Sequence, residues 1–300
     1  MAELIVTIPP YAPFIEEVAS QKVVSGLRLN TVMPTKGRLE DVLQGIKDKA
    51  QEKDVWIDLK ARQLRVEGYW TPPFTELKVS HPISVQTPCR VYFNDGLDYS
   101  TLLEVDGQRL IMQDGPRRVV GPGESLNILE ASLEINGFLT DTDKAYIAAA
   151  ENVGLNNYML SFVESESDID AFHSLVPDAT VVAKIESRKG MQYVHAEWPE
   201  HKKSRLMAAR GDLYVELQRP HYIVQAVESI VKQDPKAIVA SRIFPSLSHG
   251  LHPSCSDISD VDNLLRMGYR SFMLGDEVCL QRDSVLSAIN LFESIARRYN

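Results

Sequence analysis

Eight short apolar runs, separated by segments of helical character, constrain this 300-residue chain more than any other feature. They fall at 4–8, 26–31, 55–59, 157–162, 180–185, 205–209, 237–241 and 271–274. Continuous apolar stretches of this length suit strands buried on both faces, as strands in parallel sheets are. Helical periodicity is clearest at 38–50, 141–150, 222–232 and 282–298, all rich in good helix formers. Repeated strand–helix units predict an α/β chain with a parallel sheet, and eight of them predict a closed (β/α)8 TIM barrel.

One interval breaks the rhythm. From Gly68 to Asn127 the chain is punctuated by Pro72-Pro73, Asp95-Gly96, Asp106-Gly107, Asp114-Gly115-Pro116 and Gly121-Pro122-Gly123, with short runs at 90–93 and 109–112 between them. Turn-rich spacing of this kind predicts a small all-β module. It follows the third strand, so it would stand at the C-terminal mouth of the barrel, where active sites of this fold lie. The expected organisation is barrel over 1–66, an inserted β lid domain over 67–130, and barrel again over 131–300.

The apolar content of 44% against 24% charged residues supports a sizeable core. A net charge of −9 repels nucleic-acid phosphates and anionic membrane surfaces, so neither is expected as a partner. No apolar run approaches the roughly 20 residues of a membrane helix, and the N-terminus lacks a signal-peptide pattern, which predicts a cytoplasmic protein. Cys89, Cys255 and Cys279 have no CxxC spacing and read as ordinary thiols.

Charge placed at strand ends marks the candidate chemistry. Lys184 and Glu186, two apart at the end of an apolar run, share one face, as do Arg28 and Asn30 on an earlier strand. A structural salt bridge would also explain the first pair. Asp212 follows Gly211 after the next run, where it could cap a helix or serve as a ligand. Neighbouring strand ends lie about 4.8 Å apart, so Glu186 and Asp212 can converge on one cation. Two carboxylates completed by water and substrate oxygens suit Mg²⁺. Gly211 lets backbone approach a ligand, and amides at a helix start favour an anion. Asp58 and Arg65 flank the start of the insertion, and arginine is suited to phosphate. No GxxxxGK[ST] or GxGxxG loop is present, and the histidines show no HxxxH spacing.

Taken in order, these segments resemble pyruvate kinases. GLRLN (26–30) resembles the strand carrying that family's phosphate-binding Arg, WIDLKARQLR (56–65) the LDTKGPEIR segment, and FNDGL (93–97) the DDGL turn of the lid. FLTDTDKAYI resembles LTEKDK, AKIES the SKIEN strand, AARGDLYVEL the ARGDLGIE motif, and FMLGDE the IMLSGE strand. The resemblance implies that Lys184 neutralises the transferring phosphoryl group, that Glu186 and Asp212 hold Mg²⁺ or Mn²⁺, and that Arg28 contacts phosphate. It implies further that the amides of Gly211 and Asp212, with Ser241 standing for the family's Thr, receive the carboxylate of phosphoenolpyruvate or pyruvate. ADP or ATP would be the other ligand. A homodimer through the barrel is compatible with it.

Departures carry expectations too. Asn30 and Asp58 retain part of the family's K⁺ site, but Val32 and Leu59 replace its hydroxyl residues, and Gln63 stands where K⁺-independent relatives usually carry Lys. K⁺ is therefore not expected to be required. Met33 and Arg242 replace a nucleotide-contacting His and a Gln, which bears on nucleotide binding. The family's C-terminal regulatory domain has no counterpart in these residues, so sugar-phosphate control is not expected. Alternatives to phosphoryl transfer to a nucleoside diphosphate are another acceptor, C–C lyase chemistry at a pyruvate enolate, or a non-catalytic metabolite-binding role.

Overall fold

The computed structural model describes residues 2–196, 198–199 and 203–299. Eight parallel strands close into a barrel in chain order: Glu3–Thr7, Val24–Asn30, Asp54–Leu59, Asn157–Leu160, Thr180–Ile185, Ser204–Ala209, Ile238–Ala240 and Ser271–Leu274, the last pairing with the first. Each overlaps one of the apolar runs. Four strands stop before the end of the expected run, leaving Ile8, Thr31, Phe162 and Ser241 outside, the last two with φ of 51° and 65°.

Alternation along each strand sends side chains to two cores. Outward ones, such as Leu4, Leu27, Ile57 and Leu59, pack with the helices. Inward ones, including Ile5, Trp56, Met159, Val182, Met207 and Met273, fill the barrel. Gly26 admits the large indole beside it, because a Cβ there would stand 2.9 Å from Trp56 Nε1. The helices are α1 (Ile15–Ala19), α2 (Leu39–Lys49), α3 (Asp141–Val153), α4 (Glu166–Leu175), α5 (Arg188–Ala196), α6 (Arg210–Glu216), α7 (Tyr222–Gln233), α8 (Cys255–Met267), α9 (Asp276–Cys279) and α10 (Arg282–Ala296). Among the described residues no helix is long and apolar enough to cross a membrane.

Between the third strand and α3 the chain builds a separate β structure. Five antiparallel strands, in the order Glu76–Lys78, Arg109–Met112, Asp98–Asp106, Cys89–Phe93 and Leu126–Ile128, are joined by a pair formed from Ile83–Ser84 and Glu134–Ile135. Its apolar core, with Leu64, Trp70, Val91, Phe93 and Leu110 among its members, is distinct from both barrel cores. The lid is docked onto the barrel mouth. Its Asn94–Gly96 turn packs against α6, a Cβ at Gly96 standing 3.4 Å from Val215, and Asn127 reaches two carboxylates of that helix. All three cysteines are free.

Candidate active site

Above the apolar layers of the barrel, the inward positions turn polar. Asp58, fully buried, is the hub. Its Oδ2 accepts from Arg28 Nε at 2.8 Å and from Arg28 Nη2, and lies 3.5 Å from Lys60 Nζ, while its Oδ1 lies 3.3 Å from Lys184 Nζ. Burial alone would raise this carboxyl, but Lys184, Lys60 and Arg28 hold it far below the usual range. Lys184 Nζ also donates to Ser161 Oγ at 2.8 Å and pairs with Glu186 Oε1 at 3.2 Å. Its desolvation is outweighed by Asp58 and Glu186, so the ammonium titrates above the ordinary lysine value. Lys60, by contrast, is pushed down to about 7, chiefly by burial and further by the neighbouring Arg65, Lys184 and Arg28, against the pull of Asp58.

The turns that carry these groups are locally strained and externally clamped. Ala61, Phe162, Ser241, Arg242 and Phe244 all have φ between 43° and 65°, each costing on the order of 1–3 kcal/mol for a residue with a side chain. Asp143, in the first turn of α3, accepts from the amides of Lys60 and Ala61 at 2.8 and 3.0 Å while closing a capping box with Thr140. Arg210 of α6 donates to the carbonyls of Ser241 and Arg242 and pairs with Asp260 at 2.9 Å. These clamps fix Lys60 and Ser241 from neighbouring elements.

A cavity of about 270 Å³ opens at this mouth. Arg28, Asn30, Arg65, Lys184, Glu186, Gly211, Asp212 and Ser241 all line it, so every candidate site residue converges there except Asp58, which lies beneath its floor. The alternative of Asp212 as a helix cap is overturned. The N-cap of α6 is Ala209, and Asp212 sits inside the first turn. Its carboxylate accepts from Gln63 at 2.8 Å and from Asn127 at 3.3 Å. Glu186 Oε2 accepts from the Phe162 amide at 2.9 Å. Burial pushes both acids up; the Asp212 charge adds to the rise of Glu186, and the Asp95 charge to that of Asp212. A buried carboxylate, Glu186, and a half-buried one, Asp212, beside an open cavity form a donor set that fits a small divalent cation. Among the described residues no third His, Cys, Asp or Glu joins them in a metal-binding group, which suits Mg²⁺ or Mn²⁺ holding water and substrate oxygens.

Sequence inspection missed several groups here. Lys60 follows Asp58 at the same two-residue spacing that singled out Lys184 and Glu186, and that rule would have found it. Asp276 follows Gly275 at a strand end, as Asp212 follows Gly211. Asn127 and Glu216 carried no local signal, because their role depends on lid docking: Asn127 Nδ2 also donates to Glu216 Oε1 at 3.2 Å, and burial lifts the Glu216 carboxyl to about 8.

Comparison with known proteins finds relatives of this chain. The family model "Pyruvate kinase, barrel domain" matches residues 76–281. A pyruvate kinase of Thermoplasma acidophilum is 26% identical across 97% of this chain and 57% of its own length. One from Borreliella burgdorferi is 21% identical across 92% of this chain and 63% of its own. The chain thus spans roughly three-fifths of these relatives. The crystal structure of Cryptosporidium parvum pyruvate kinase superposes with a TM-score of 0.80 at 19% identity, covering 99% of this chain and 70% of that one.

Proposed function

This chain belongs to the pyruvate kinase family, and from that premise we propose that it is a divalent-metal-dependent phosphotransferase acting between phosphoenolpyruvate and a nucleoside diphosphate. The observation that carries this reading is the convergence of Arg28, Lys184, Glu186 and Asp212 on one cavity at the barrel mouth. A structural salt bridge alone would not need an opening above it.

Glu186 and Asp212 would hold Mg²⁺ or Mn²⁺, which when bound supplies charge stabilisation for phosphoryl and enolate oxygens. Arg28 and Arg65 would bind and orient the phosphate. Lys184, held charged by Asp58 and Glu186, would neutralise the phosphoryl group as it moves between oxygens. The amides of Gly211 and Asp212 and the Ser241 hydroxyl would receive the carboxylate, with Ser241 placed for proton transfer to the enolate. A Cβ at Gly211 would come within 3.4 Å of Ser241 Oγ, so glycine keeps that corner open. The docked lid would exclude water. We further propose that K⁺ is dispensable, since the Asp58 carboxylate already faces Arg28, Lys60 and Lys184, and that the protein works in the cytoplasm, alone or as a homodimer through the barrel.

Pyruvate release from phosphoenolpyruvate by the purified protein, with Mg²⁺ and a panel of nucleoside diphosphates, with and without K⁺, tests the reading. Silence across the panel removes it. A second reading, enolisation of a 2-oxo acid without nucleotide, draws on Met33 and Arg242, which stand where pyruvate kinases have a nucleotide-contacting His and a Gln. Deuterium exchange into pyruvate in the absence of nucleotide would reveal it.

A further inference from the structure

We infer that Asp276 is a specificity-determining residue of this cavity: its carboxylate occupies the face of Arg28 that a substrate phosphoryl group would take, so a phosphorylated ligand binds only by displacing it. The inference rests on the reading of Arg28 as the phosphate-binding arginine.

Arg28 has five N–H donors in a planar fork. Nε and Nη2 are directed to Asp58, and Nη1 donates to Thr7 Oγ1 at 3.0 Å and to Asp276 Oδ1 at 3.0 Å. One N–H on Nη2 is left. Bidentate recognition of phosphate needs two parallel donors, so an incoming phosphoryl group has to take one that is already committed. Asp58 is not the partner to yield, because it is fully buried and also faces Lys60 and Lys184. Asp276 is: its side chain is 39% exposed and lines the cavity wall. Its second oxygen, Oδ2, accepts from Asn30 Nδ2 at 2.8 Å, which holds it across the Arg28 corner.

The residue is also an addition. Where the family's IMLSGE segment has glycine, FMLGDE places Asp276. Arg28 keeps Asp58 as a buried counter-charge when Asp276 turns away. An extra negative charge beside the phosphate subsite opposes a polyanion more than it opposes a ligand held at Gly211 and Ser241 without a phosphoryl group. Selection against one ligand by a placed repulsive group is a general route to specificity. Relative to its glycine-bearing relatives, the cavity is therefore biased from phosphoenolpyruvate toward unphosphorylated 2-oxo acids.

Calorimetric titration of the Mn²⁺-loaded wild type, Asp276→Asn and Asp276→Gly with phosphoenolpyruvate and with oxalate tests this. The asparagine keeps the size and an acceptor for Asn30, and the glycine restores the family's residue. Both variants should bind phosphoenolpyruvate at least about tenfold more tightly than the wild type, as expected when a charge-assisted competitor is removed. Oxalate affinity should change less than about threefold, a selectivity that a merely structural role would not produce. Unchanged or weaker phosphoenolpyruvate binding in variants that still bind oxalate overturns the role of Asp276 alone. Failure of all three proteins to bind oxalate with Mn²⁺ overturns the proposed function together with it.

Discussion

Lys184 and Asp58 show how a single buried carboxylate sets the properties of a cavity. Three cations face Asp58, yet their fates differ: Lys184, with Glu186 as a second acid, stays charged, while Lys60, desolvated by burial and opposed by Arg65, Lys184 and Arg28, is pushed down to about 7. Lys184→Met should slow pyruvate release at least about a hundredfold, the loss expected for a principal electrostatic stabiliser. An unchanged rate in steady-state assays would show the role to be misassigned. Glu216 makes a prediction about pH. Its carboxyl is raised from an ordinary 4.5 to about 8 by burial, with Asp212 adding to the rise. Between those values the folded state retains a proton that the unfolded chain releases, so its contribution favours folding below about pH 4.5 and is lost as pH rises to about 8. Glu216→Gln should therefore flatten the fall in melting temperature from pH 5 to pH 8 and melt above the wild type at pH 8. Parallel curves for the two proteins would contradict this.

The elements matter through the turns that join them. The turn after the third strand is gripped by Asp143 of α3, and the turn after the seventh by Arg210 of α6. Left-handed residues with side chains persist there because neighbours over-determine them. The lid strand Leu126–Ile128 is tied to α6 by Asn127, which bridges Asp212 and Glu216. Asn127→Ala removes a donor from each of these two acids. Hydrogen–deuterium exchange should then accelerate in the 89–93 and 126–128 strands while the barrel strands stay protected. Equal protection throughout would mean that other contacts hold the lid closed.

At the scale of the whole molecule, a cation between Glu186 and Asp212 should stabilise the fold by mass action, about 2.7 kcal/mol when Mn²⁺ is present at a hundred times its dissociation constant. Thermal denaturation should show this shift in the wild type and lose it in Glu186→Gln and Asp212→Asn. A shift that survives in both variants would place the ion elsewhere. Much of the architecture is legible in the sequence, because a parallel strand buried on both faces must be written as a short apolar run and a lid as a turn-rich interruption. The two-residue spacings Lys184/Glu186 and Arg28/Asn30 gave which side chains share a face. The FMLGDE segment likewise held Asp276 in plain view, but not its partner, since Arg28 lies 248 positions away. By itself, then, the sequence determined the barrel, the position of the insertion and the side chains that point inward, all properties of local periodicity. Only closure of the barrel and docking of the lid decided that Asp58 sits among three cations, that Asp276 faces Arg28, and that Asn127 bridges two acids. Those charges act through distances of about 3–4 Å between distant parts of the chain, and no local pattern encodes such distances.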